Sequence, residues 1–392
     1  MKITRVQINV LELPSSRRLF DLVRLEGMRR DRWLHAAATR ARGRPPSQGS
    51  GDDASPAHVF VMDVDTDGGV RGRCTAESDG PARVNREDIE QLNQLVIGED
   101  PFAREMLYQK LHTGTRWVYR APGWFGAFDN CLWDIAGKAA GMPVYRLIGR
   151  ARNQVPSYLN IRGLTVEEAI EDARRAIAEG FPALKDHFYH PPDENIRWLT
   201  AIRKAAGPGI DLMHDPVAIY SYEQAVKVGR ALEELEYRWF EEPLPERFHN
   251  RLRQLCDTLD IPVLATETMM NDVDLCAQWL ISGATDLIRV NARGGTTAAL
   301  KLAHLAELHG TNVELNGPGG LFGLVHAHLL CCISNTSYYE YFPGGWLDEV
   351  GREVGMLNPP VPAGGFLAPP DLPGWGARWD EDLFRKKTVE VF

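Results

Sequence analysis

The sequence predicts an α/β protein whose larger part is a TIM-type barrel. From about residue 155 onward, short apolar runs alternate with amphipathic helical segments at intervals of about 25 residues. Eight such runs can be counted, and eight βα units that close on themselves are typical of this barrel. The Gly-x-Gly-x-x-Gly motif that usually follows the first strand of a doubly wound open sheet is missing, so the open sheet is the less favoured alternative.

The region before the barrel is predicted to form a second, less regular unit. Residues 4–13 alternate like a strand, and residues 58–64 and 70–74 flank an Asp-Gly-Gly turn as in a hairpin. Residues 40–56, rich in Arg, Gly, Pro and Ser, are predicted to be a loop. The spacing then becomes helical and ends in a helix over 123–141. A chain of 392 residues is long enough for a barrel and such a partner.

Within the barrel region, each strand is a short apolar run and each helix carries its apolar residues on one face. The predicted strands cover residues 155–161, 182–187, 210–215, 238–241, 262–267, 286–291, 312–316 and 337–340. The predicted helices cover residues 165–179, 195–206, 222–236, 248–259, 272–282, 296–309 and 321–333.

Composition excludes several classes of function. The chain has 44 Lys and Arg against 53 Asp and Glu, a net charge of −9, which argues against binding to nucleic acid. A small anionic substrate stays compatible with this charge, because one local cation can oppose the average. No run reaches the roughly 20 apolar residues that span a bilayer, so no membrane association is expected. Six Cys without CxxC spacing favour reduced thiols and a cytoplasmic protein.

Carboxylates recur at the C-terminal ends of the predicted strands, where the chemistry of parallel barrels gathers. Asp215, Glu241 and Glu267 end three consecutive strands and are spaced 26 residues apart. Neighbouring strands lie about 4.8 Å apart, so the three carboxylates are predicted to converge on a hard divalent cation, best Mg²⁺. A single acid there is more often a rim residue or a helix cap, but the repetition argues against that interpretation. Strand alternation predicts that His214 points away from the metal and is structural.

Several segments resemble the mandelate racemase branch of the enolase superfamily. The run WFEEPL at 239–244, flanked by Asp215 and by Ala-Thr-Glu at 265–267, is similar to the superfamily's metal-binding pattern. The segments similar to the mandelate racemase branch are residues 128–138, 143–149 and 373–376.

The resemblance implies a modified (β/α)7β barrel with an α+β capping domain. It places the capping domain in residues 1–130, the barrel with its site in 131–365, and a C-terminal segment that returns to the cap in 366–392. It implies that the three strand-end carboxylates bind Mg²⁺. The shared reaction step of the superfamily removes the proton α to a carboxylate and gives a metal-stabilised enediolate. Members of the branch often form octamers or dimers, so a homo-oligomer is expected.

Two departures from the branch's pattern bear on the chemistry. Where the branch commonly has Lys-x-Lys, this chain has Lys185 and His187. Lys185 keeps the role of the electrophile beside the substrate carboxylate, and His187, with a reference pKa of about 6.5, is predicted to be the base. The branch's Asp–His dyad falls on Asn291 and Asn316, amides that can hydrogen-bond substrate hydroxyls but cannot take a proton. Glu340 falls where the branch places an acid that hydrogen-bonds the substrate carboxylate.

A base on only one face favours a dehydratase over a racemase, which needs a base on each face. The sequence therefore predicts a Mg²⁺-dependent dehydratase of an aldonic or aldaric acid, which gives a 2-keto-3-deoxy acid. His187 would remove the α-proton, and either His187, in a syn elimination, or a nearby Tyr would protonate the leaving hydroxyl. The alternatives are an epimerase or racemase, a cycloisomerase, and a non-catalytic metal-binding barrel that acts as a binding protein. Arginines within residues 17–32 would favour a diacid if they faced the pocket.

Overall fold

The computed structural model describes residues 1–13, 58–76, 84–342 and 349–392. The predicted loop over 40–56 and the arginines of 17–32 lie outside these ranges. No helix within them is both long and apolar enough to cross a membrane.

A four-stranded antiparallel sheet is the smaller of the two sheets. Its strands are β1 (Ile3–Glu12), β2 (His58–Thr66), β3 (Arg71–Ala76) and β13 (Thr388–Val391), in the order β13-β1-β2-β3. The predicted hairpin is present as β2 and β3, which pair antiparallel. The C-terminal strand β13 pairs with β1, so the last residues return to the first strand of the chain.

Eight parallel strands form the larger sheet. They are β4 (Val155–Asn160), β5 (Ala183–Asp186), β6 (Asp211–His214), β7 (Trp239–Glu241), β8 (Val263–Ala265), β9 (Leu287–Val290), β10 (Val313–Leu315) and β11 (Tyr339–Tyr341). Their order is β10-β9-β8-β7-β6-β5-β4-β11, a nearly closed barrel, and β12 (Phe366–Leu367) pairs antiparallel with β4. The prediction of an α/β protein with a TIM-type barrel and a separate antiparallel sheet is confirmed.

The helices of the described residues fall into two groups. Those outside the barrel repeat are α1 (Arg86–Val96), α2 (Arg104–Val118), α3 (Gly126–Ala140), α4 (Val144–Ile148) and α12 (Glu381–Lys387). Those that connect successive barrel strands are α5 (Val166–Ala178), α6 (Pro192–Ala206), α7 (Tyr222–Glu234), α8 (His249–Thr258), α9 (Val273–Ile281), α10 (Thr296–Leu308) and α11 (Leu324–Cys332). Seven such helices between eight strands give the (β/α)7β arrangement.

Two barrel strands differ from their predicted bounds for local reasons. The strand predicted over 262–267 ends at Ala265, because Thr266 adopts a left-handed conformation with φ of 86° and Glu267 begins a 3₁₀ turn. The strand predicted over 337–340 is shifted toward the C-terminus, so Glu340 is its middle residue. Five of the seven barrel helices begin within one residue of their predicted start, whereas α6 begins three residues earlier and α11 three residues later. At the start of α7, Ser221 and Gln224 form a capping box.

Helix α3 joins the smaller sheet to the barrel. Its Asp134 accepts a hydrogen bond from the Arg73 amide at 2.9 Å, whereas its Asn130 accepts one from the Thr296 amide at 2.9 Å. At Gly126 the approach is so close that a Cβ would lie 2.0 Å from the carbonyl oxygen of Arg293. The predicted domain boundary after residue 130 falls inside this helix, and the boundaries stay a prediction.

Apolar side chains fill the barrel below the strand ends. The cluster consists of Tyr158, Ala183, Met213, Trp239, Leu264 and Tyr338, all buried. Successive strand residues alternate between the interior and the helices. Ala183, Met213 and Trp239 each lie two residues before a candidate site residue, so the site residues occupy the next interior layer, toward the C-terminal ends.

Candidate active site

The Lys185 ammonium lies between three carboxylates. Its Nζ is 2.8 Å from Glu340 Oε1, 3.0 Å from Glu241 Oε2 and 3.5 Å from Asp215 Oδ2. Burial alone lowers the pKa of Lys185, but the carboxylates of Glu241 and Glu340 outweigh burial and hold the pKa well above its usual value. Lys185 is therefore a cation at neutral pH and not a base; its role toward a substrate stays a prediction.

Arg289 on β9 is a second, fully buried cation that was not predicted. Its Nη2 is 2.8 Å from Glu241 Oε1 and 2.8 Å from Glu340 Oε2, and it donates to the Tyr158 hydroxyl at 3.0 Å. Its Nε lies 3.6 Å from Glu267 Oε2. Arg289 lies two residues before Asn291, so alternation turns both toward the interior. The signal for Arg289 in the sequence is a charged residue at an interior-facing position of a strand, two residues before the predicted strand end.

Glu340 joins the two cations. Besides the contacts to Lys185 and Arg289, its Oε2 accepts a hydrogen bond from the Gly317 amide, and its Oε1 accepts one from Asn160 at 3.3 Å. Burial raises the pKa of Glu340, but the charges of Lys185 and Arg289 dominate and bring it to about 2. Glu340 is thus an ionised partner of both cations, and its predicted contact with a substrate carboxylate stays a prediction.

Glu267 is the most exposed of the three predicted metal ligands, with 28% of its side chain accessible. It stands on the 3₁₀ turn after β8, whose first amides donate to the buried carboxylate of Glu246: Glu267 N at 2.7 Å and Thr268 N at 2.6 Å. Burial and the nearby charges of Glu241 and Asp215, opposed by Arg289, raise the pKa of Glu267 to about 8. Glu246 was not predicted, and it fixes the position of the Glu267 backbone.

Non-glycine residues in left-handed conformations cluster where these strands end. They are Val217 and Ala218 after β6, Glu242 after β7 and Thr266 after β8, with φ between 39° and 86°. Such strain persists where the surrounding structure enforces it and is frequent at functional sites. At Glu242 it also ends the strand alternation. Burial and the charges of Glu267 and Glu246 raise the pKa of Glu242 well above its usual value.

His187 follows β5 and faces Asp215. Its Nε2 is 3.2 Å from Asp215 Oδ2, and a quarter of its side chain, 25%, is accessible. Its ring stacks against Phe342, with the centroids 6.5 Å apart. His187 is thus the accessible imidazole beside the buried Lys185, where a predicted base would meet a substrate entering the barrel.

Asn291 and Asn316 lie side by side after β9 and β10. Asn291 Nδ2 donates to the Asn316 carbonyl oxygen at 2.7 Å, and Arg293 Nη2 donates to Asn316 Oδ1 at 2.9 Å. The next residue, Gly317, contacts Glu340, which connects the two amides to the charged cluster. The structure therefore brings all eight predicted site residues to one end of the barrel, but their roles stay predictions.

The donor set fits a hard divalent cation, although the carboxylates are not gathered around one point. Among the described residues, no three His, Cys, Asp or Glu side chains are arranged to hold a metal ion as they stand, since Lys185 and Arg289 lie between them. Glu241 Oε1 is buried and, among these residues, accepts no hydrogen bond, although Arg289 Nη2 lies 2.8 Å away. With all four carboxylates ionised, as metal binding would require of Glu267, their charge exceeds that of the two cations by the two units that one Mg²⁺ would balance.

Comparisons with known proteins find relatives of similar sequence and fold. A solved structure of D-glucarate dehydratase from Agrobacterium tumefaciens, complexed with magnesium, superposes with a TM-score of 0.81 over 100% of both chains at 28% identity. A D-galactonate dehydratase family member from Catenulispora acidiphila is 27% identical, over 84% of each chain. The arabinonate dehydratase of Saccharolobus solfataricus is 24% identical, over 84% of this chain and 91% of its own.

Two family models match the sequence and cover most of it. Residues 35–149 match the mandelate racemase/muconate lactonizing enzyme N-terminal domain, and residues 168–383 match the enolase C-terminal domain-like family. The second match alone spans more than half of the chain. The chain belongs to the mandelate racemase/muconate lactonizing enzyme branch of the enolase superfamily.

Proposed function

We propose that this chain is a Mg²⁺-dependent dehydratase that converts an aldonic or aldaric acid to a 2-keto-3-deoxy acid. The observation that carries the proposal is the asymmetry of the site. One side holds the accessible imidazole of His187, whereas Asn291 and Asn316, which cannot take a proton, stand after β9 and β10. Two of the relatives compared above are named as dehydratases of sugar acids and the third as a member of the D-galactonate dehydratase family, which supports the same reaction class.

Asp215, Glu241 and Glu267 are the residues that would hold Mg²⁺. Bound there, the cation would act as a Lewis acid toward the carboxylate of the substrate, whose α-proton is otherwise very weakly acidic. The ammonium of Lys185, kept protonated by its carboxylate partners, would add a hydrogen bond to the same group as negative charge builds up.

His187 would remove the α-proton and then pass it to the leaving β-hydroxyl. The neutral imidazole takes the proton from the carbon next to the carboxylate, and the electron pair of that C–H bond moves toward the carboxylate. The imidazolium then gives the proton to the β-hydroxyl as its C–O bond breaks, so water leaves from the same face. The enol that remains tautomerises to the 2-keto acid. One histidine on one face is sufficient for this sequence.

A binding protein without catalysis is disfavoured by the buried cations. Burying Lys185 and Arg289 costs free energy that carboxylates repay only with good geometry. A barrel with no reaction to perform would be stable with apolar residues at these positions.

A substrate screen tests the proposal. The protein with Mg²⁺ is incubated with a library of aldonic and aldaric acids that includes D-galactonate, arabinonate and D-glucarate, and 2-keto acid is measured by a colour assay. We expect turnover of at least one acid, loss of turnover with EDTA, and recovery on adding Mg²⁺. Absence of product from every acid would contradict the proposal, and so would α-proton exchange without dehydration, which would indicate an epimerase.

A further inference from the structure

Four buried polar side chains next to the site have no part in the proposed reaction. They are Asp186, Asn195, His214 and Tyr220, and each is at least nine-tenths buried. Asp186 ends β5 and His214 ends β6; both point away from the barrel interior, as predicted for His214. Tyr220 precedes α7, and Asn195 lies in the first turn of α6. Polar groups buried in this way are costly unless each is hydrogen-bonded.

These four side chains form a continuous chain of hydrogen bonds. Asn195 Nδ2 donates to the Tyr220 hydroxyl, which lies 3.3 Å from His214 Nε2. His214 Nδ1 lies 2.7 Å from Asp186 Oδ1. With a proton assigned to His214 Nδ1 and Nε2 left as an acceptor, Tyr220 donates to Nε2 and Nδ1 donates to Asp186, so every bond has one donor and one acceptor.

Both ends of this chain meet the backbone of Phe188, the residue after His187. The Phe188 amide donates to Asp186 Oδ1 at 3.2 Å, and its carbonyl oxygen accepts from Asn195 Nδ2 at 2.9 Å. The four side chains therefore close a ring through Phe188. Asn195 Oδ1 also accepts from the His190 amide at 3.1 Å, so the segment that carries His187 is held at three backbone groups.

We propose that this hydrogen-bonded ring positions His187 for proton transfer, with Asn195, His214 and Tyr220 acting as positioning residues. The inference rests on the proposed function, in which His187 is the base. The ring of His187 contacts Asp215 and Phe342, and its direction also depends on the backbone at 187–188. A displacement of about 1 Å at a reacting group can cost about 10²-fold in rate.

The substitution Tyr220→Phe tests this proposal with little change of shape. It removes one hydroxyl and thereby two bonds of the ring. The matched control is Tyr222→Phe, which loses a hydroxyl contact to Thr258 Oγ1 at 3.0 Å outside the ring. On the acid that the wild-type protein turns over, we expect Tyr220→Phe to lower kcat by about tenfold to 10²-fold with KM little changed, and Tyr222→Phe to leave both near wild type.

The isotope effect separates positioning from simple loss of folded protein. With the same acid deuterated at C2, slower proton transfer raises the isotope effect on kcat wherever another step limits wild-type turnover, whereas a smaller active fraction leaves this ratio unchanged. A rise in Tyr220→Phe supports the proposal. An unchanged kcat overturns it. His214→Asn, which can still donate to Asp186 but does not reach Tyr220, should repeat the result of Tyr220→Phe, and wild-type kinetics in it would also overturn the proposal.

A measurement without substrate keeps the two proposals distinguishable. The rate at which diethyl pyrocarbonate modifies His187 is followed by mass spectrometry, relative to the exposed His304 in the same chain. We expect His187 to react several-fold faster in Tyr220→Phe than in the wild type, and at the wild-type rate in Tyr222→Phe. An unchanged rate overturns the positioning role, even if the wild-type protein dehydrates no acid and the proposed function has failed.

Discussion

The guanidinium of Arg289 is the group on which the charge balance of the site depends most. It is fully buried and contacts Glu241 and Glu340, each at 2.8 Å. Removing one partner from a buried ion pair leaves an uncompensated charge, which costs far more than losing a pair at the surface. The two carboxylates therefore need Arg289 whether or not a substrate is bound.

Replacing this cation by an apolar side chain of similar length should destabilise the protein. We expect Arg289→Met to lower the free energy of unfolding by about 3–5 kcal/mol, because Glu241 and Glu340 lose a buried partner. The control Arg238→Met breaks a half-exposed pair with Asp211 and should cost about 1 kcal/mol or less. Urea unfolding measures both, and equal losses in the two variants would contradict the account of Arg289.

Some residues of the site could be predicted from the sequence and others could not. Asp215 and Glu241 were found because regular βα spacing puts strand ends at equal intervals. Arg289 was missed because it is not a terminal residue of its strand. Glu246 was missed because it accepts hydrogen bonds from backbone amides about twenty residues away in the sequence. Contacts of this second kind depend on how loops fold back, which a spacing pattern does not contain.

At the scale of elements, α11 carries two buried histidines outside the reaction. His328 accepts a hydrogen bond from the Tyr145 amide at 3.2 Å and reaches the Trp375 carbonyl oxygen at 3.1 Å, so it ties α11 to α4 and to the C-terminal segment. Burial lowers its pKa to about 3, and that of His326 to about 3 as well. Both are neutral in the folded protein.

A pH dependence of stability follows from His328. Its folded pKa lies below the unfolded value of about 6.5, so its stabilisation is complete above that pH and is lost as the pH falls toward 3. Within that window the loss is at most about 1.4 kcal/mol per pH unit for one histidine. Urea unfolding at about pH 7 and about pH 5.5 should give a smaller difference for His328→Gln than for wild type. The exposed His304→Gln should keep the wild-type difference; equal differences in all three proteins would refute this.

Elements were predictable where a repeating pattern defines them. The barrel helices and strands agree with their predicted positions to within a few residues, because periodicity and capping residues such as Ser221 are local signals. The turns at Glu242 and Thr266 were not predictable, because a left-handed conformation at a non-glycine residue is enforced by its surroundings and has no signal in the sequence. The turn at Glu242 follows Glu241, and the turn at Thr266 precedes Glu267. The orientation of these two carboxylates could therefore not be predicted from the sequence.

At the scale of the whole molecule, the net charge of −9 hides a nearly balanced centre. Counting only Asp215, Glu241, Glu267, Lys185 and one Mg²⁺ already gives a neutral core. The structure adds Glu340 and Arg289, an anion and a cation that contact each other, so the sum does not change. The acidic excess therefore lies elsewhere and does not oppose an anionic substrate at the barrel mouth.

His187 moves the proton in the proposed dehydration, and one comparison of variants tests this role most directly. With Mg²⁺ and the sugar acid identified in the screen, the initial rate of 2-keto acid formation is measured for wild type, His187→Asn and the exposed control His309→Asn. We expect His187→Asn to lower kcat by about 10²–10⁴-fold, the usual contribution of a positioned base, while the control stays near wild type. A rate for His187→Asn within about tenfold of wild type would contradict the claim.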